Sequence, residues 1–374
     1  MAFESFCSRD FVDYRIVLVR VISWTIPTNT TLNQNEKSPV PEKEPLPKLL
    51  VVTHAEVEQL LPMADCIELM GQTLASLARG EFHLPLRMVI RPPNSAGLIA
   101  MMPAYKATEP SAYGLKAICV FPGNAARGKD AHQGGVLLFS GETGELLALV
   151  NASAITAIRT AAVSGVATRT LSRSGACQLT IIGAGVQARS HLEAIACVRT
   201  VKRVRVVSRT AEGAQQFVRE VSPAYSFPVE VAPTVEAALK GADIIVTVTN
   251  ALDPVLRLEW ISPGAHINAV GTYSPAAREI DSATMKAASL FVDRRESAQN
   301  EAGEYLLAAK EGEIGPEHIR AELGEVLVGL KGGRQSADEI TLFKSLGLAV
   351  EDLAAADFIF RQAQRQKAGT WLDF

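Results

Sequence analysis

The segment IIGAGVQA carries the clearest binding chemistry in this chain. It places Gly183, Gly185 and Ala188 in G-x-G-x-x-A spacing, directly after a strand-like apolar run and directly before a helix-like one. Gly183 permits a tight turn, and Gly185 leaves room for a pyrophosphate at the helix N-terminus, where free N–H groups and the helix dipole favour an anion. In this context the motif predicts a dinucleotide site rather than a plain turn. The expected contacts include Val186 and Gln187.

The end of the next strand-like run indicates which dinucleotide binds. A cofactor with a free ribose 2′-hydroxyl is usually held there by Asp or Glu, about 20 residues past the glycines. Here the run ends in Ser208, Arg209 and Thr210. An arginine and two hydroxyls suit a 2′-phosphate, so we expect NADPH, with NADH as the alternative. The competing interpretation is an exposed arginine at a strand end.

The segment from 151 to 171, NASAITAIRTAAVSGVATRTL, predicts a helix that begins after Asn151 and carries Arg159 and Thr160 among small residues. Arg159 can hold a cofactor phosphate or a substrate carboxylate. A surface arginine is the alternative, but a helix this rich in Ala, Val and Ser is expected to be buried. An unpaired arginine would be costly there, which favours a binding role.

Composition limits the class of protein that can position these residues. The chain has 374 residues and is 48% apolar, which allows two cores, because single cores rarely grow beyond about 250 residues. With 37 basic and 40 acidic residues and a net charge of −3, no nucleic-acid or anionic-membrane partner is indicated. A small molecule is the expected partner.

Cysteine usage and the first residues bear on location. The five cysteines are scattered without a CxxC pair or a His cluster, so neither a disulfide framework nor a metal site is expected. The apolar run at 11–27 is interrupted by Asp13, Arg15 and Arg20, and predicts neither a membrane anchor nor a secretory signal. We therefore expect a cytoplasmic protein.

Four segments of different composition follow one another. Residues 1–48 are expected to be a poorly ordered extension that ends in a polar, proline-containing stretch at 28–48, with an upstream start as the alternative to a functional element. Residues 49–170 mix strand-like runs with the helix-like segment at 54–80. Residues 171–314 alternate short apolar strands with helices, which indicates a parallel, doubly wound sheet. The last residues, 315–374, read as helical and are expected to pack back on one of the two domains.

Four long segments resemble, in order and spacing, the ornithine cyclodeaminase/μ-crystallin family. They read GGVLLFSGETGELLALVNASAITAIRTAAVSGVATRTLS, TIIGAGVQARSHLEAI, GAHINAVGTYSPAAREID and EITLFKSLGLAVEDLAAADFIF. The resemblance covers residues 49–374. It implies a homodimer of α/β class, in which a Rossmann domain with a doubly wound parallel sheet (171–314) is inserted in a discontinuous α+β domain for substrate binding and dimerisation (49–170 plus 315–374).

The resemblance also carries over pocket residues. Arg87 in LPLRMVI would pair with a substrate carboxylate in a two-pronged hydrogen bond, and Lys116 in YGLKAICV would lie near the reacting carbon as the catalytic proton-transfer residue. Glu301 falls, more loosely, where the family lines the ligand pocket, and a helix N-terminal Glu supporting the dipole is an equal interpretation. Further expected cofactor contacts are Thr247, Val248, Thr249, Val270, Gly271, Ser345 and Leu346.

The family pattern is broken after NAVG. Cyclodeaminases and the alanine dehydrogenase of the family carry an aspartate where this chain has Tyr273. A phenol with a pKa of about 10 does not replace a carboxylate that accepts a proton near neutral pH. The sequence therefore favours an NAD(P)H-dependent reductase of cyclic ketimine carboxylates, which gives L-proline or L-pipecolate. An ornithine cyclodeaminase or alanine-type dehydrogenase is the alternative enzyme, and a μ-crystallin-like binding protein is the alternative of another class.

Overall fold

Residues 48–374 are the part of the chain that the computed structural model describes. The expected extension, apart from Lys48, lies outside these residues, as does the apolar run at 11–27. Among the described residues, no helix is both long and apolar enough to cross a membrane.

Helices and strands alternate along most of the described chain. The helices are α1 His54–Leu60, α2 Met63–Ala78, α3 Ala152–Leu171, α4 Val186–Val198, α5 Ala211–Val221, α6 Val235–Leu239, α7 Ser282–Ala287, α8 Arg295–Glu301, α9 Gly303–Lys310, α10 Leu323–Leu327 and α11 Ala349–Gln366. The strands are β1 Lys48–Val52, β2 Phe82–His83, β3 Met88–Ile90, β4 Leu98–Lys106, β5 Ala112–Val120, β6 His132–Ser140, β7 Leu146–Asn151, β8 Gln178–Ile182, β9 Arg203–Val207, β10 Val229–Val231, β11 Ile244–Thr247, β12 His266–Ala269, β13 Ser289–Val292, β14 Ile319–Glu322, β15 Thr341–Lys344 and β16 Thr370–Asp373.

The first sheet has the order β16-β1-β7-β6-β5-β4-β2, and β3 also pairs with β4. Its long strands β4, β5 and β6 run antiparallel, whereas β1 pairs parallel to β7. Burial alternates along β5, so that Lys116 and its even-numbered neighbours are buried while Tyr113 is exposed. Because side chains alternate between the faces of a strand, one face of this sheet is covered by α11, and Lys116 points into that covered face.

The second sheet has the order β10-β9-β8-β11-β12-β15-β13-β14. Every pairing in it is parallel. The chain leaves β8 toward β9 and β10 on one side, and later continues from β11 on the other side. This reversal between β8 and β11 is the switch point at which such sheets bind ligands beyond the carboxyl ends of their strands. The predicted α/β class with a doubly wound Rossmann sheet is confirmed.

Two local expectations differ from the structure. The segment at 54–80 forms two helices, because Pro62 lies at the N-cap of α2 and proline cannot donate the backbone hydrogen bond that a continuous helix needs. The segment at 319–322, expected as helix, is strand β14. Its alternating burial and its pairing with β13 outweigh the helix-forming residues that follow it.

The expected boundary at residue 314 lies before two strands of the second sheet. Both β14 and β15 pair within that sheet, with β15 between β12 and β13. Strands β14 and β15 therefore belong to the cofactor sheet, whereas α10 between them packs mainly against α2. The physical reason is that β15 forms backbone hydrogen bonds with the strands on both of its sides. Such pairing between distant segments cannot be detected from local helix signals in the sequence. The division into a substrate domain and a cofactor domain otherwise stays a prediction.

Helix α3 joins the two sheets. Asn151 caps it by accepting a hydrogen bond from Ala154 N at 3.0 Å, as the sequence predicted. Its side chains are mostly small and buried on all sides, and it contacts β6 of the first sheet and β12 of the second. Small residues permit such close approach of other elements. The helix therefore carries Arg159 into the interior between the two sheets.

Candidate active site

The glycine turn after β8 has the form that the motif predicts. Gly183 has φ +123°, and a Cβ there would lie 2.6 Å from Val248 O, so this position needs glycine for the fold itself. Gly185 is the N-cap of α4, and a Cβ there would meet no atom within 4 Å. One glycine thus serves the turn, and the other leaves open space in front of a helix N-terminus that can receive a phosphate.

Unsatisfied polar atoms lie between α3 and the start of α4. The side-chain oxygens of Thr156, Thr160 and Gln187 are buried and have no hydrogen-bond partner among the described residues. Gln187 Nε2 donates to Thr156 O at 3.4 Å, which links the two helices. Buried polar atoms are nearly always paired in native proteins, so these atoms are suited to a polar ligand. Together with the space before Gly185, they fit a dinucleotide.

The end of β9 offers one free cation. Thr210 caps α5 by accepting a hydrogen bond from Gly213 N at 3.2 Å, so its hydroxyl already has a structural task. Ser208 is half-buried, and Arg209 is exposed and forms no ion pair within residues 48–374. Arg209 and Ser208 are therefore available to a 2′-phosphate, whereas Thr210 acts first as a helix cap.

Arg87 lies just before β3 and reaches across to the segment after β15. Its Nη2 donates to Leu346 O at 2.9 Å and to Gly347 O at 3.0 Å. Its Nε lies 2.8 Å from Glu301 Oε2, in an ion pair whose side chains are 15% and 13% exposed. Nη1 has no partner among the described residues. Binding of a substrate carboxylate by two hydrogen bonds from Arg87, as predicted from the sequence, therefore requires that one of the present partners of Arg87 be displaced.

The backbone of the Leu346–Gly347 segment is itself fixed by a buried carboxylate. Asp293, which follows β13, accepts hydrogen bonds from Leu346 N at 2.6 Å and from Gly347 N at 2.8 Å. Burial raises the pKa of Asp293, although these N–H groups work against the rise. Gly347 has φ +76°, and a Cβ there would collide with the guanidinium of Arg159. The segment thus touches both Arg87 and Arg159.

A buried charge network surrounds Lys116. Its Nζ lies 2.7 Å from Asp352 Oδ2, with side-chain exposures of 3% and 1%. Arg159 donates from Nε to Asp352 Oδ1 at 3.0 Å and from Nη1 to Glu351 Oε2 at 2.8 Å. Both carboxylates lie in the first turn of α11, where the helix dipole favours negative charge.

The network shifts the acidity of its members. Burial lowers the pKa of Lys116 to about 8, although Asp352 favours its charged form. Burial raises the pKa of Glu351 to about 7. Burial also acts against ionisation of Asp352, but the charges of Arg159 and Lys116 outweigh it and hold the pKa of that carboxyl below its usual range. Lys116 is therefore able to exchange a proton near neutral pH.

A second buried network fixes the loop after β12. Glu279 accepts hydrogen bonds from Gly271 N at 2.8 Å and from Thr249 N at 2.6 Å, and burial raises the pKa of its carboxyl. Lys344 Nζ donates to Thr272 O at 2.6 Å and lies 3.1 Å from Glu304 Oε2. The network clamps the backbone directly before Tyr273. Tyr273 is 39% exposed.

The predicted site residues gather at the carboxyl edge of the second sheet. Ser345, at the end of β15, donates from its backbone N to Ala269 O at 3.0 Å, which places Leu346 beside the end of β12. Arg87 is joined to this point by its hydrogen bonds, and its charge also lowers the pKa of Lys116. The expected nicotinamide contacts and the expected substrate residues therefore meet at one place. Val270 and Gly271 directly follow β12 there, and Thr247 ends β11 and is followed by Val248 and Thr249.

Glu301 lies between two helices. It is the last residue of α8 and directly precedes Ala302, the N-cap of α9, so both of its interpretations stay predictions. Among the other predicted contacts, Ala188 is fully buried and packs in the core, whereas Val186 is 58% exposed.

Sequence reasoning missed the carboxylates and the lysine that organise the site. The only signal was a charged residue inside an apolar run, as in SLFVDRR, TLFKSLG and GLAVEDLAAA. The missed residues are Glu279, Asp293, Glu304, Lys344, Glu351 and Asp352.

Comparisons with known proteins agree with this architecture. Residues 48–367 match the model of the ornithine cyclodeaminase/mu-crystallin family. The chain is 44% identical over 281 residues to the ketimine reductase mu-crystallin of Rattus norvegicus, an alignment that spans 75% of this chain and 85% of that protein.

Two solved structures have the same fold. One is the Δ1-pyrroline-2-carboxylate reductase of Thermococcus litoralis in complex with NADH and L-proline, at 37% identity and a TM-score of 0.83, covering 86% of this chain and 99% of that one. The other is an archaeal alanine dehydrogenase dimer with bound NAD, at 33% identity and a TM-score of 0.82, covering 87% and 99%. The chain belongs to the ornithine cyclodeaminase/mu-crystallin family.

Proposed function

We propose that this protein is an NAD(P)H-dependent reductase of cyclic ketimine carboxylates, which converts Δ1-pyrroline-2-carboxylate or Δ1-piperideine-2-carboxylate to L-proline or L-pipecolate. The observation that carries the proposal is the buried Lys116, whose pKa lies at about 8 and whose site adjoins Arg87 at the carboxyl edge of the Rossmann sheet. The two relatives described as a ketimine reductase and a pyrroline-2-carboxylate reductase support it.

The chain's own residues have separate tasks in this reaction. Arg87 orients the substrate carboxylate, which places the adjacent imine carbon in the site. Lys116, largely protonated below pH 8, supplies the proton that keeps the imine nitrogen cationic. Asp352 and Arg159 hold Lys116 in place from the covered side. When bound, the reduced nicotinamide supplies the hydride, which the positively charged imine draws to its carbon.

Cofactor choice follows from the ends of β8 and β9. Gly183, Gly185 and the start of α4 would hold the pyrophosphate, and Thr160 and Arg159 would border it from α3. Arg209 and Ser208 would meet the 2′-phosphate of NADPH, so NADPH is the expected cofactor and NADH the second. The bound NADH and NAD of the two solved relatives support nicotinamide dinucleotides as the class.

The loop residue Tyr273 disfavours cyclodeamination and amino-acid oxidation. It stands where those relatives keep an aspartate, and a phenol does not supply the carboxylate that such chemistry uses as its base. The second buried network fixes the loop backbone directly before Tyr273. We therefore expect no neighbouring acid of the loop to take the role of the missing aspartate. Tyr273 instead forms part of the pocket wall.

A homodimer completes the proposal. The face of the first sheet that lies opposite α11 exposes apolar and aromatic side chains, among them Tyr113 at 50% and Leu149 at 37%. The rings of Tyr105 and Tyr113 pack there in a tilted arrangement, with 4.6 Å between their centroids. Such a patch is typical of a protein interface, and the alanine dehydrogenase relative is a dimer. Sedimentation velocity measures the oligomeric state directly.

We also infer a cytoplasmic location, which the free cysteines Cys66, Cys119, Cys177 and Cys197 support.

The test of function is a screen of purified protein. Cyclic ketimines with NADPH and NADH are compared with L-ornithine and L-alanine with NAD+, and cofactor absorbance and ammonia release are followed. We expect oxidation of NADPH with Δ1-piperideine-2-carboxylate or its five-membered homologue. Ammonia from ornithine, or NADH from alanine, without ketimine turnover would identify the alternative enzymes. Tight cofactor binding without any turnover would identify a binding protein.

Lys116→Ala tests the assigned chemistry within the same screen. A proton-transfer residue contributes about 10²- to 10⁴-fold, so turnover is expected to fall by at least about 100-fold. Near-normal turnover in that variant would remove Lys116 from the mechanism.

A further inference from the structure

Glu279 is a buried carboxylate that joins the ends of two neighbouring strands. Its Oε1 accepts hydrogen bonds from Thr249 N at 2.6 Å and from Thr249 Oγ1 at 2.7 Å, just after β11. Its Oε2 accepts from Gly271 N at 2.8 Å, just after β12, and from Thr247 Oγ1 at 2.8 Å. The side chain of Glu279 is fully buried. Both of its oxygens therefore serve the protein itself, and no surface of this carboxylate is left for a ligand.

The two strand ends that Glu279 joins lie in direct contact. A Cβ at Gly271 would lie 2.2 Å from Thr249 O and 2.6 Å from Glu279 Oε1, so this close approach requires glycine. Val270 N also donates to Thr247 O at 3.0 Å. The backbone after β12 thus packs on the backbone after β11, and the carboxylate of Glu279 bridges the two.

Glu279 is also connected to a third strand. Its backbone N donates to Glu304 Oε1 at 3.2 Å, and Glu304 Oε2 lies 3.1 Å from Lys344 Nζ. Lys344 ends β15, the neighbour of β12, and its Nζ donates to Thr272 O at 2.6 Å. Buried side chains therefore connect the carboxyl ends of β11, β12 and β15. Because the loss of one partner is costly in a buried network, a change at Glu279 is expected to disturb the backbone of these strand ends.

These strand ends lie on one side of the switch point between β8 and β11. The glycine turn follows β8, and Arg209 lies just after β9 on the other side. A dinucleotide binds across the crevice at such a switch point. A cofactor whose adenosine half lies over β8 and β9 would therefore extend its nicotinamide half over β11 and β12. The backbone of Val248, Thr249, Val270 and Gly271 forms this part of the edge.

We propose that Glu279 is a positioning residue for the nicotinamide half of the cofactor. It touches no ligand, and it acts by fixing the backbone at Thr249 and Gly271, beside which this half of the cofactor binds. The adenosine half depends on other elements, namely the turn at Gly183 and the end of β9. Loss of the Glu279 carboxylate therefore weakens binding of the nicotinamide half and spares binding of the adenosine half. The inference requires a nicotinamide dinucleotide as cofactor but no particular substrate.

The test compares the whole cofactor with its adenosine half. NADPH and adenosine 2′,5′-bisphosphate, which lacks the nicotinamide, are titrated into wild type and Glu279→Gln, and calorimetry gives the dissociation constants. NADH and ADP replace this pair if NADH binds more tightly than NADPH. Gln keeps the size of the side chain but replaces one acceptor oxygen with an N–H donor group.

Asp243→Asn is the matched control for this comparison. Asp243 also accepts two backbone N–H groups, from Cys177 at 2.9 Å and from Gln178 at 3.0 Å. It lies directly before β11, and Gln178 begins β8, so these contacts are at the opposite edge of the same sheet. Asp243→Asn is therefore expected to leave the ratio of the two dissociation constants at the wild-type value.

The expected result in Glu279→Gln is a selective loss. NADPH binds about 10-fold more weakly or worse, because the N–H groups of Thr249 and Gly271 no longer share one acceptor. Adenosine 2′,5′-bisphosphate keeps its dissociation constant within about 2-fold of wild type. Equal weakening of both ligands would show a general role in the fold, and an unchanged constant for NADPH would show no role in binding. Either result overturns the proposal.

Hydrogen–deuterium exchange of the cofactor-free protein gives a readout that needs no ligand. We expect the segments 247–251 and 269–273 to exchange faster in Glu279→Gln than in wild type, because two backbone N–H groups in them lose their acceptor. Unchanged exchange in both segments would overturn the proposal.

Thr247→Val covers the case in which Glu279→Gln does not fold. The side chain of Thr247 is fully buried, and its hydroxyl donates to Glu279, so this change removes one donor to the carboxylate and little volume. NADPH binding is expected to weaken by about 3-fold with binding of the bisphosphate unchanged, and equal effects on both ligands would overturn the proposal. A protein that shows these binding constants but reduces no ketimine would contradict the proposed function while the role of Glu279 stands.

Discussion

Replacing Asp352 with Asn removes the carboxylate that lies 2.7 Å from Lys116 Nζ and 3.0 Å from Arg159 Nε. The pKa of Lys116 is about 8 even with this anion beside it, because burial lowers it and the anion raises it in part. Without the anion, only the lowering influences of burial, of Arg159 and of Arg87 on this pKa remain. The pKa of Lys116 therefore falls further in Asp352→Asn, and the lysine loses its proton at a lower pH.

The size of this fall follows from the separation of the charges. Two unit charges about 4 Å apart interact by about 4 kcal/mol at an effective dielectric constant of about 20, and one pKa unit corresponds to about 1.4 kcal/mol. The upper bound is thus about 3 units, and rearrangement of the site reduces it. We expect a shift of at least about 1 unit.

The assay is the pH profile of ketimine reduction at saturating NADPH. Activity needs the protonated lysine, so its alkaline limb follows the pKa of Lys116 and moves from about pH 8 to about pH 7 or below in Asp352→Asn. The substrate's own loss of a proton is common to both enzymes and cancels in the difference. Asp357→Asn is the matched control, because Asp357 lies on the same helix and pairs at 2.6 Å with Lys106 outside the site. An alkaline limb at the same pH in both variants would refute the role given to Lys116.

Three further predictions concern the cofactor site and the buried loop clamp. Gly185→Val is expected to leave the free energy of unfolding unchanged and to weaken NADPH binding at least about 10-fold in a fluorescence titration. Gly183→Ala, in contrast, is expected to cost about 1–3 kcal/mol of unfolding free energy because of the positive φ of Gly183 and the close carbonyl of Val248. The reverse pattern would contradict the assignment of the two glycines. Arg209→Ala is expected to lower the NADPH-to-NADH ratio of kcat/KM by about 10- to 100-fold, since one hydrogen bond to a charged group contributes about 1.5–3 kcal/mol; an unchanged ratio would make Arg209 a plain surface residue. Lys344→Met is expected to destabilise the protein by about 3–5 kcal/mol in denaturant unfolding, because it leaves the buried Glu304 without its cation. Adding Glu304→Gln to this variant should recover part of the lost unfolding free energy. Additive changes of the unfolding free energy in the double variant would argue against the pairing.

Features that depend on neighbouring residues were predicted well. The turn at Gly183 and Gly185, the helix that begins after Asn151 and the alternation of strands and helices after residue 170 all follow from short segments of sequence. Steric limits on the backbone, capping and side-chain periodicity act over a few residues, so their signals are visible without knowledge of the fold. The family resemblance added Arg87 and Lys116, which strand patterns alone do not distinguish from other basic residues.

Features that depend on pairing between distant segments were not visible. Arg87 reaches a carbonyl 259 residues further along the chain, and Arg159 binds Asp352 across 193 residues. The expected boundary at residue 314 lies before β15, whose membership in the second sheet is decided by β12 and β13 on either side. The family resemblance placed Glu301 near the ligand pocket, but its ion pair with Arg87 becomes visible only in the fold.

The sequence by itself determined the class of the sheet, the dinucleotide turn and the break in the family pattern at Tyr273, since each rests on local backbone geometry or on the identity of one residue. Only the tertiary structure decided which charges are paired, because burial and opposite charges from distant elements set the pKa of Lys116. It also decided which groups Arg87 contacts. The type of reaction is thus indicated along the chain, while the groups that adjust its acid–base chemistry are defined by contacts between segments that the chain brings together only on folding.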